Sequence, residues 1–406
     1  MEIRNIFSIK RLSKTTLATL VIVNVAVMAG VAPVHATGFQ LRRTILNPTP
    51  AADDFFGFTV AGFDGKIIIG APNDNASGVN GGAAYLFDNS TGALLHSFIS
   101  PMPRAGDNFG VSVAALGGNV LIGDPNIDAG DLHSGTAYLF DGATGKLIRT
   151  FVNPAPSPNS AFGSSVAAMG NNALIGGFKA AYLFDGSTGT LLLTFHDPNH
   201  FHPEKGVAVV DAFGSRVLPI GNNVLIGAPL ADIGATGAGA AYLFDGGNAK
   251  LLQTFLNPTP TRDGSFGLGL SSFEGNIIVG APQDITGGMA TGVVFIFSAA
   301  TGGLVKTIPD PNPNPSSFNF FGGSIVALGN DIIVGAPLDS FAAPNSGTVY
   351  VFDGSTFSIV QTIFEPSPAS SDQFGQSLAT TGATVIVGAP KESIGGVSSG
   401  AAFLYA

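Results

Sequence analysis

The chain has 406 residues, 45% of them hydrophobic and 11% charged, with no cysteine, no tryptophan and a formal net charge of −10. The acidic balance excludes the basic footprint that nucleic-acid binding requires, and the lack of cysteine excludes disulfides and thiol chemistry. With so few charges, most of the surface must be Ser, Thr, Asn, Gly and Pro.

The first 36 residues differ in kind from the rest. Arg4, Lys10, Arg11 and Lys14 precede an uncharged apolar run to about Val34, and Val34-His35-Ala36 places small residues where a signal peptidase cuts. Residues 1–36 are therefore predicted to be a signal peptide; the alternative is an uncleaved anchor, because the run approaches spanning length. Cleavage would leave 13 basic and 26 acidic residues, a net of −13. The mature chain is expected to be secreted, periplasmic or on the cell surface, with no stable membrane insertion.

Residues 37–406 carry one repeating unit. A Phe-Gly pair recurs at Phe56, Phe109, Phe162, Phe213, Phe266, Phe321 and Phe374, in steps of 51 to 55 residues. A second Gly follows each Phe by 14 residues, at Gly70, Gly123, Gly176, Gly227, Gly280, Gly335 and Gly388. It opens a Gly-Ala-Pro in five copies; Asp124 replaces the Ala in the second, and Gly176-Gly177 lacks the Pro in the third. Periods of this length mean stacked units that cannot bury their faces alone.

Each repeat holds four short apolar runs bounded by turn residues, which predicts a four-stranded antiparallel sheet. In the second copy the strands read as Gly110–Leu116, Val120–Gly123, Thr136–Phe140 and Lys146–Val152. Gly-Asn-like turns join the first two strands. Asp-x-x-Thr-Gly stretches such as Asp141–Gly145 join the last two, with the Asp side chain accepting backbone N–H bonds. Runs such as Ile67-Ile68-Ile69 and Tyr242-Leu243-Phe244 do not alternate, so both faces of the sheet must be covered. Sheets packed face to face around an axis meet that demand. The predicted fold is all-β, a seven-bladed β-propeller of four-stranded antiparallel blades.

The last repeat stops after its third strand, at Ala401–Ala406. The missing strand lies at the other end, where Leu41–Pro50 matches Leu251–Pro260 position for position. The N-terminal strand is predicted to complete the last blade and close the ring.

The paired motifs, as in Phe266-Gly267…Gly280-Ala281-Pro282 and Phe374-Gly375…Gly388-Ala389-Pro390, resemble the FG-GAP repeats of integrin α-subunit propellers and their bacterial relatives. The resemblance runs from Gly38 to Ala406. It implies a seven-bladed propeller that binds other molecules at or outside the cell surface. Integrin-type repeats often carry an Asp-x-Asp-x-Asp-Gly calcium loop between the Phe-Gly and Gly-Ala-Pro strands. Here that connection is as short as Phe63-Asp64-Gly65-Lys66, and two or three residues cannot supply the six to eight oxygens that calcium takes. Calcium binding is therefore not carried over, and the copies read as a short, cation-free variant.

Two departures from the repeat single out a candidate site. The interval from the Gly-Ala-Pro glycine to the aromatic of the third strand is 15 residues in six copies but six in the third, from Gly176 to Tyr182. The next junction, Phe195 to Phe213, is enlarged to 18 residues against 11 in most others. A missing loop beside a long one should leave a notch on the face of the long loops, where binding surfaces usually lie. The insert carries His196, His200, His202 and Glu204, and His133, Asp128 and Asp131 sit on a loop of the preceding blade. His200 and His202 have the types and offset of a metal pair in an extended segment, with His196 or Glu204 as further ligands. The competing reading is a solvated lid. No cofactor is expected beyond a metal ion there.

A second constellation is acidic: Asp74, Asp128, Asp232, Asp284, Asp339 and Glu392 follow the Gly-Ala-Pro stretches. It reads either as a carboxylate ring or as a set of turn caps. No Gly-x-Ser-x-Gly, phosphate loop or His-Glu-x-x-His appears. The sequence thus reads as a non-catalytic binding or adhesion module whose partner is an extracellular or envelope protein or glycan. The alternatives are an exported, polysaccharide-acting enzyme with its site near residues 196–204, and a structural envelope component.

Overall fold

The computed structural model describes residues 38–76, 78–129, 131–199, 211–286, 291–313, 318–394 and 397–406. The expected signal peptide lies outside these residues. The described residues form 28 strands in seven four-stranded antiparallel sheets, with no helix among them. The first strands of the seven sheets neighbour one another in cyclic order, the seventh touching the first, so the sheets form a closed ring of blades. Leu41–Leu46 pairs antiparallel with Ala401–Tyr405, from Leu41 opposite Tyr405 to Leu46 opposite Ala401. The N-terminal strand therefore supplies the outer strand of the last blade, as its sequence match implied.

The second blade shows how the repeat works. Its strands are Ser112–Leu116, Asn119–Asp124, Thr136–Phe140 and Leu147–Val152. The first begins two residues later than the sequence reading placed it. Gly110, at φ +90°, donates its N–H to the Gly123 carbonyl at 3.0 Å and turns its own carbonyl toward the preceding blade. A Cβ on Gly70 would lie 2.0 Å from the Gly110 carbonyl oxygen. The same approach recurs at every seam, including Gly388 against Gly57, where the distance would be 1.9 Å. The Gly of Gly-Ala-Pro and the Gly of Phe-Gly are thus two halves of one contact between neighbouring blades. The Oγ atoms of Ser112, Ser324 and Ser377 donate to those same carbonyls, of Gly163, Gly375 and Gly57, at 2.7 to 2.8 Å.

The Phe of each Phe-Gly pair is fully buried. Phe56 meets Phe87 edge-on with ring centroids 6.0 Å apart, and Phe109 meets Phe140 in the same way at 6.1 Å. Each such side chain contributes about 1.5–3 kcal/mol by burial. A second aromatic crosses the seam: Phe98 on the outer strand of the first blade packs 5.1 Å from Phe140 of the next. The two middle strands of every blade are buried almost throughout, which accounts for their unbroken apolar runs. The outer strands bury one residue, such as Phe98, and expose neighbours such as Leu94 and Leu95. In all seven blades the register shifts within the third strand's pairing to the fourth, as between Leu86 and Phe87 or between Leu41 and Arg43. Bulges of this kind twist an edge away from flat pairing.

Candidate functional site

Antiparallel order sends the short turns to one face of the ring and the long connections to the other. The short face is spent on hairpin chemistry. Two-residue turns join the first and second strands, with positive φ at Asp64 and Gly65 or at Gly117. Asp88, Asp185 and Asp353 hold the other hairpins. Hydroxyl donation from Ser90, Ser187 and Ser355, with backbone N–H donors, holds these carboxyls down to about 2. Groups so occupied are poor candidates for recognition.

The long-loop face is built differently. In six blades the loop between the second and third strands lifts an apolar side chain into solvent. These are Val79, Leu132, Leu230, Ile285, Phe341 and Ile394. Val79 is 70% exposed and Phe341 62%. In the third blade the loop is cut to a tight turn: Gly177 N–H donates to the Ala180 carbonyl at 3.0 Å, and Phe178 N–H reaches the Ser160 carbonyl at 2.8 Å.

Under these loops lies a polar layer at each seam. It draws on three positions: two residues past the buried residue of an outer strand, two before the next Phe-Gly, and four past the Gly-Ala-Pro glycine. At the seam of the seventh and first blades they are Asn47, Asp54 and Asp74, all buried. The Asn47 amide donates to Asp54 at 2.8 Å, and the Tyr85 hydroxyl donates to Asp74 at 2.6 Å. Burial still pushes Asp54 up to about 6. Between the fifth and sixth blades Asn319 donates to Asp310 at 2.6 Å and Tyr350 to Asp339 at 2.5 Å; burial raises Asp310 to about 6. Between the fourth and fifth, Asn257 donates to Asp284 at 2.5 Å. Between the sixth and seventh the three positions are Glu365, Asp372 and Glu392, again all buried.

The acidic series after Gly-Ala-Pro is therefore not one ring. Asp74, Asp284, Asp339 and Glu392 are buried at the fourth position. Ile127 and Ala231 fill that position in the second and fourth blades, and Asp128 and Asp232 stand one residue further on. The turn-cap reading does hold: Ala76, Thr286 and Phe341 N–H groups donate to Asp74, Asp284 and Asp339 at 2.7 to 2.9 Å.

Of the residues singled out in the sequence, His200, His202 and Glu204 lie outside the described residues. His196 ends the outer strand Leu191–His196 and is exposed. Asp128, Asp131 and His133 share one exposed loop and are engaged within it. His133 N–H donates to Asp128 at 2.9 Å, its Nδ1 lies 2.8 Å from the Asn126 carbonyl, and Asp128 pairs with Arg104 at 3.2 Å. Asp131 accepts from the Leu132 N–H at 2.8 Å.

A channel of about 490 Å³ runs down the axis, lined by first-strand residues of all seven blades. Arg216 is the one charged residue in its described lining and donates to the Ser215 carbonyl at 2.8 Å. Arg216 is exposed to the channel, and the blades that ring it disfavour its charge, lowering its pKa from the ordinary value. The other blades place Thr, Ser or Gly at the same strand position, as at Thr59, Ser112 and Gly269.

A family model described as FG-GAP repeat matches residues 43–87, 103–140, 313–352 and 358–405. The chain carries FG-GAP repeats. No curated protein matches it. The matched stretches fall on the first, second, sixth and seventh blades. The FG-GAP glycine contact is equally present between the others, as at Gly227 with Gly267. The loop-tip apolar residues and the acidic seam at Glu365 went unread in the sequence. A signal existed for the seam: in the FG-GAP register Glu365 stands where other repeats have Asn47, Asn153 and Asn257.

Proposed function

We propose that this FG-GAP propeller is an exported, non-catalytic binding module that engages an extracellular or envelope protein or glycan through its long-loop face. The observation that carries the reading is the exposed apolar side chain on each of six long loops, held on a closed ring. Val79 is 70% exposed, Phe341 stacks on Phe364 at 5.1 Å and still stands largely in water, and apolar groups rimmed by polar loop are what recognition surfaces use. The insert at residues 196–204, with His196, His200, His202 and Glu204, is the element that distinguishes this chain's face from a regular ring. FG-GAP repeats are typical of extracellular proteins, and among the described residues no helix is long and apolar enough to cross a membrane.

The test is saturable binding of the fluorescently labelled protein to intact cells and isolated envelopes of the producing organism. Replacing Val79, Leu132 and Phe341 together by Ser should weaken binding at least about tenfold, the scale of losing one modest anchor, at unchanged Tm. An Asp88→Ala control on the opposite face should bind normally. Equal binding by the Ser variant would remove the long-loop face from the reading. Turnover of polysaccharides by the purified protein, lost on His200→Ala/His202→Ala substitution, would replace it with an enzyme.

A further inference from the structure

The seam between the sixth and seventh blades keeps the polar layer of its siblings but has lost the Asn and Tyr donors that serve it elsewhere. Asn47, Asn153 and Asn257 correspond to Glu365; Tyr85 and Tyr350 correspond to Phe403. What remains is Glu365, Asp372 and Glu392, with relative exposures of 3%, 1% and 4%. One carboxylate oxygen from each lies within 4.8 Å of the other two.

These groups are short of partners. Neither oxygen of Glu365 has a hydrogen bond among the described residues, nor do Asp372 Oδ1 and Glu392 Oε2. Asp372 accepts one backbone bond, from the Ala369 N–H at 2.5 Å. Lys391, next to Glu392 in the sequence, sends its Nζ over the Phe55 ring, 5.5 Å from the centroid. Neither Arg104–Asp128 nor Arg262–Asp263, the ion pairs among the described residues, touches the cluster. Burial raises the pKa of Asp372 and of Glu392. Three buried carboxylates without a counter-charge among the described residues are unfavourable, because each loses its water and repels the others.

We propose that Glu365, Asp372 and Glu392 form a site for a hard divalent cation of the calcium type at the sixth–seventh seam. The chemistry of the donors fits. All are carboxylate oxygens, up to six in number if each group binds through both, and calcium takes six to eight oxygens in flexible geometry. Magnesium keeps several waters and demands a regular octahedron, which a dehydrated seam suits less. The three ligands come from two connections: Glu365 and Asp372 from the one that joins the sixth blade's outer strand to the first strand of the seventh, and Glu392 from the loop after Gly388-Ala389-Pro390. A cation there would tie the long loops of two blades together. The site is distinct from the hairpins between first and second strands, which are two-residue turns here. It goes beyond the binding-module reading and stands or falls independently of it.

The test compares the purified protein in chelator and in millimolar CaCl₂, by calorimetric titration and thermal unfolding. Wild type should bind one calcium per chain through this site, and its Tm should rise with calcium, since a ligand of the folded state alone stabilises it by mass action. Glu365→Asn installs the residue of the sibling seams. It should abolish both responses, and in chelator it should melt above wild type, because the amide can donate to Asp372 as Asn47 does to Asp54. Glu392→Gln should also lose the calcium response. A wild-type Tm indifferent to calcium would sink the proposal, as would a response that survives in Glu365→Asn. Stabilisation by mild acid without any effect of calcium would assign the cluster to shared protons instead.

Discussion

Two seams of the ring share a backbone and differ in chemistry. Where the seventh blade meets the first, Asn47 and Tyr85 donate to Asp54 and Asp74, leaving Asp54 Oδ1 without a hydrogen bond among the described residues. Where the sixth meets the seventh, Glu365 and Phe403 occupy those places, and the carboxylates face one another without the Asn and Tyr donors. The glycine contacts below are alike: a Cβ on Gly388 would meet the Gly57 carbonyl at 1.9 Å, and one on Gly335 the Gly375 carbonyl at 2.2 Å. The frame is thus set by backbone fit, while the layer above it is free to change. Repeats of this kind can acquire a site by exchanging side chains without altering the fold.

The comparison is broken most severely at the frame. Gly388→Ala and Gly335→Ala each force a methyl into a backbone carbonyl that cannot move without parting two blades. Each should cost about 4 kcal/mol or more, at the upper end for overpacking. Calorimetric unfolding should show both variants melting far below wild type, by similar amounts. A mild effect at one seam and a severe effect at the other would mean that the seams do not share their frame.

The polar layer should respond less strongly, and with a pH signature. Asn47→Asp keeps the shape of the side chain but places a carboxylate against Asp54, imitating the sixth–seventh seam. The expected loss is about 3 kcal/mol at neutral pH, the scale of an uncompensated buried charge. The new carboxyl would have a folded pKa above its unfolded one, so the loss should shrink as pH falls and the group takes a proton. Urea midpoints across the acid range read this directly. A loss independent of pH would mean packing, not charge, distinguishes the seams.

Most of the frame was legible in the sequence, because its demands are of a kind that leaves few choices. Only Gly fits between Gly70 and the Gly110 carbonyl, and the Phe beside each such Gly fills the same pocket in every blade, so both recur in register. Ring closure was legible for the same reason: Thr49 N–H donates to the Asn47 side chain at 3.0 Å and Thr259 N–H to Asn257 at 2.9 Å, one turn read twice. The candidate site was less so. Glu365 and Glu392 stand 27 residues apart on different loops, and nothing local marks them as neighbours. Pooling Asp128 and Asp232 with the buried carboxylates hid the distinction between a buried position and an exposed one. The first-strand boundary was misplaced because Gly110 looks like the start of a strand while its carbonyl serves the contact with the preceding blade.

The smallest effect belongs to the seam of the first and second blades, which lies between the two extremes. Asp124 replaces the Ala of Gly-Ala-Pro there and is fully buried. Ser100 donates to its Oδ2 at 2.9 Å, and its Oδ1 has no hydrogen bond among the described residues. Burial pushes its carboxyl up from 3.8 to about 8. Between those values the folded protein holds a proton that the unfolded chain has released, so stability falls as pH rises across that window. Asp124→Asn keeps an oxygen for Ser100 and removes the charge. It should leave stability near pH 4 unchanged and add about 1–3 kcal/mol near pH 8, on the scale of an unsatisfied buried group. Parallel stability curves for the two proteins would show that Asp124 is hydrated or paired, and that one donor is enough to settle a carboxylate in this layer. Diverging curves would show that it is not, and would strengthen the case that three carboxylates without the Asn and Tyr donors require a cation.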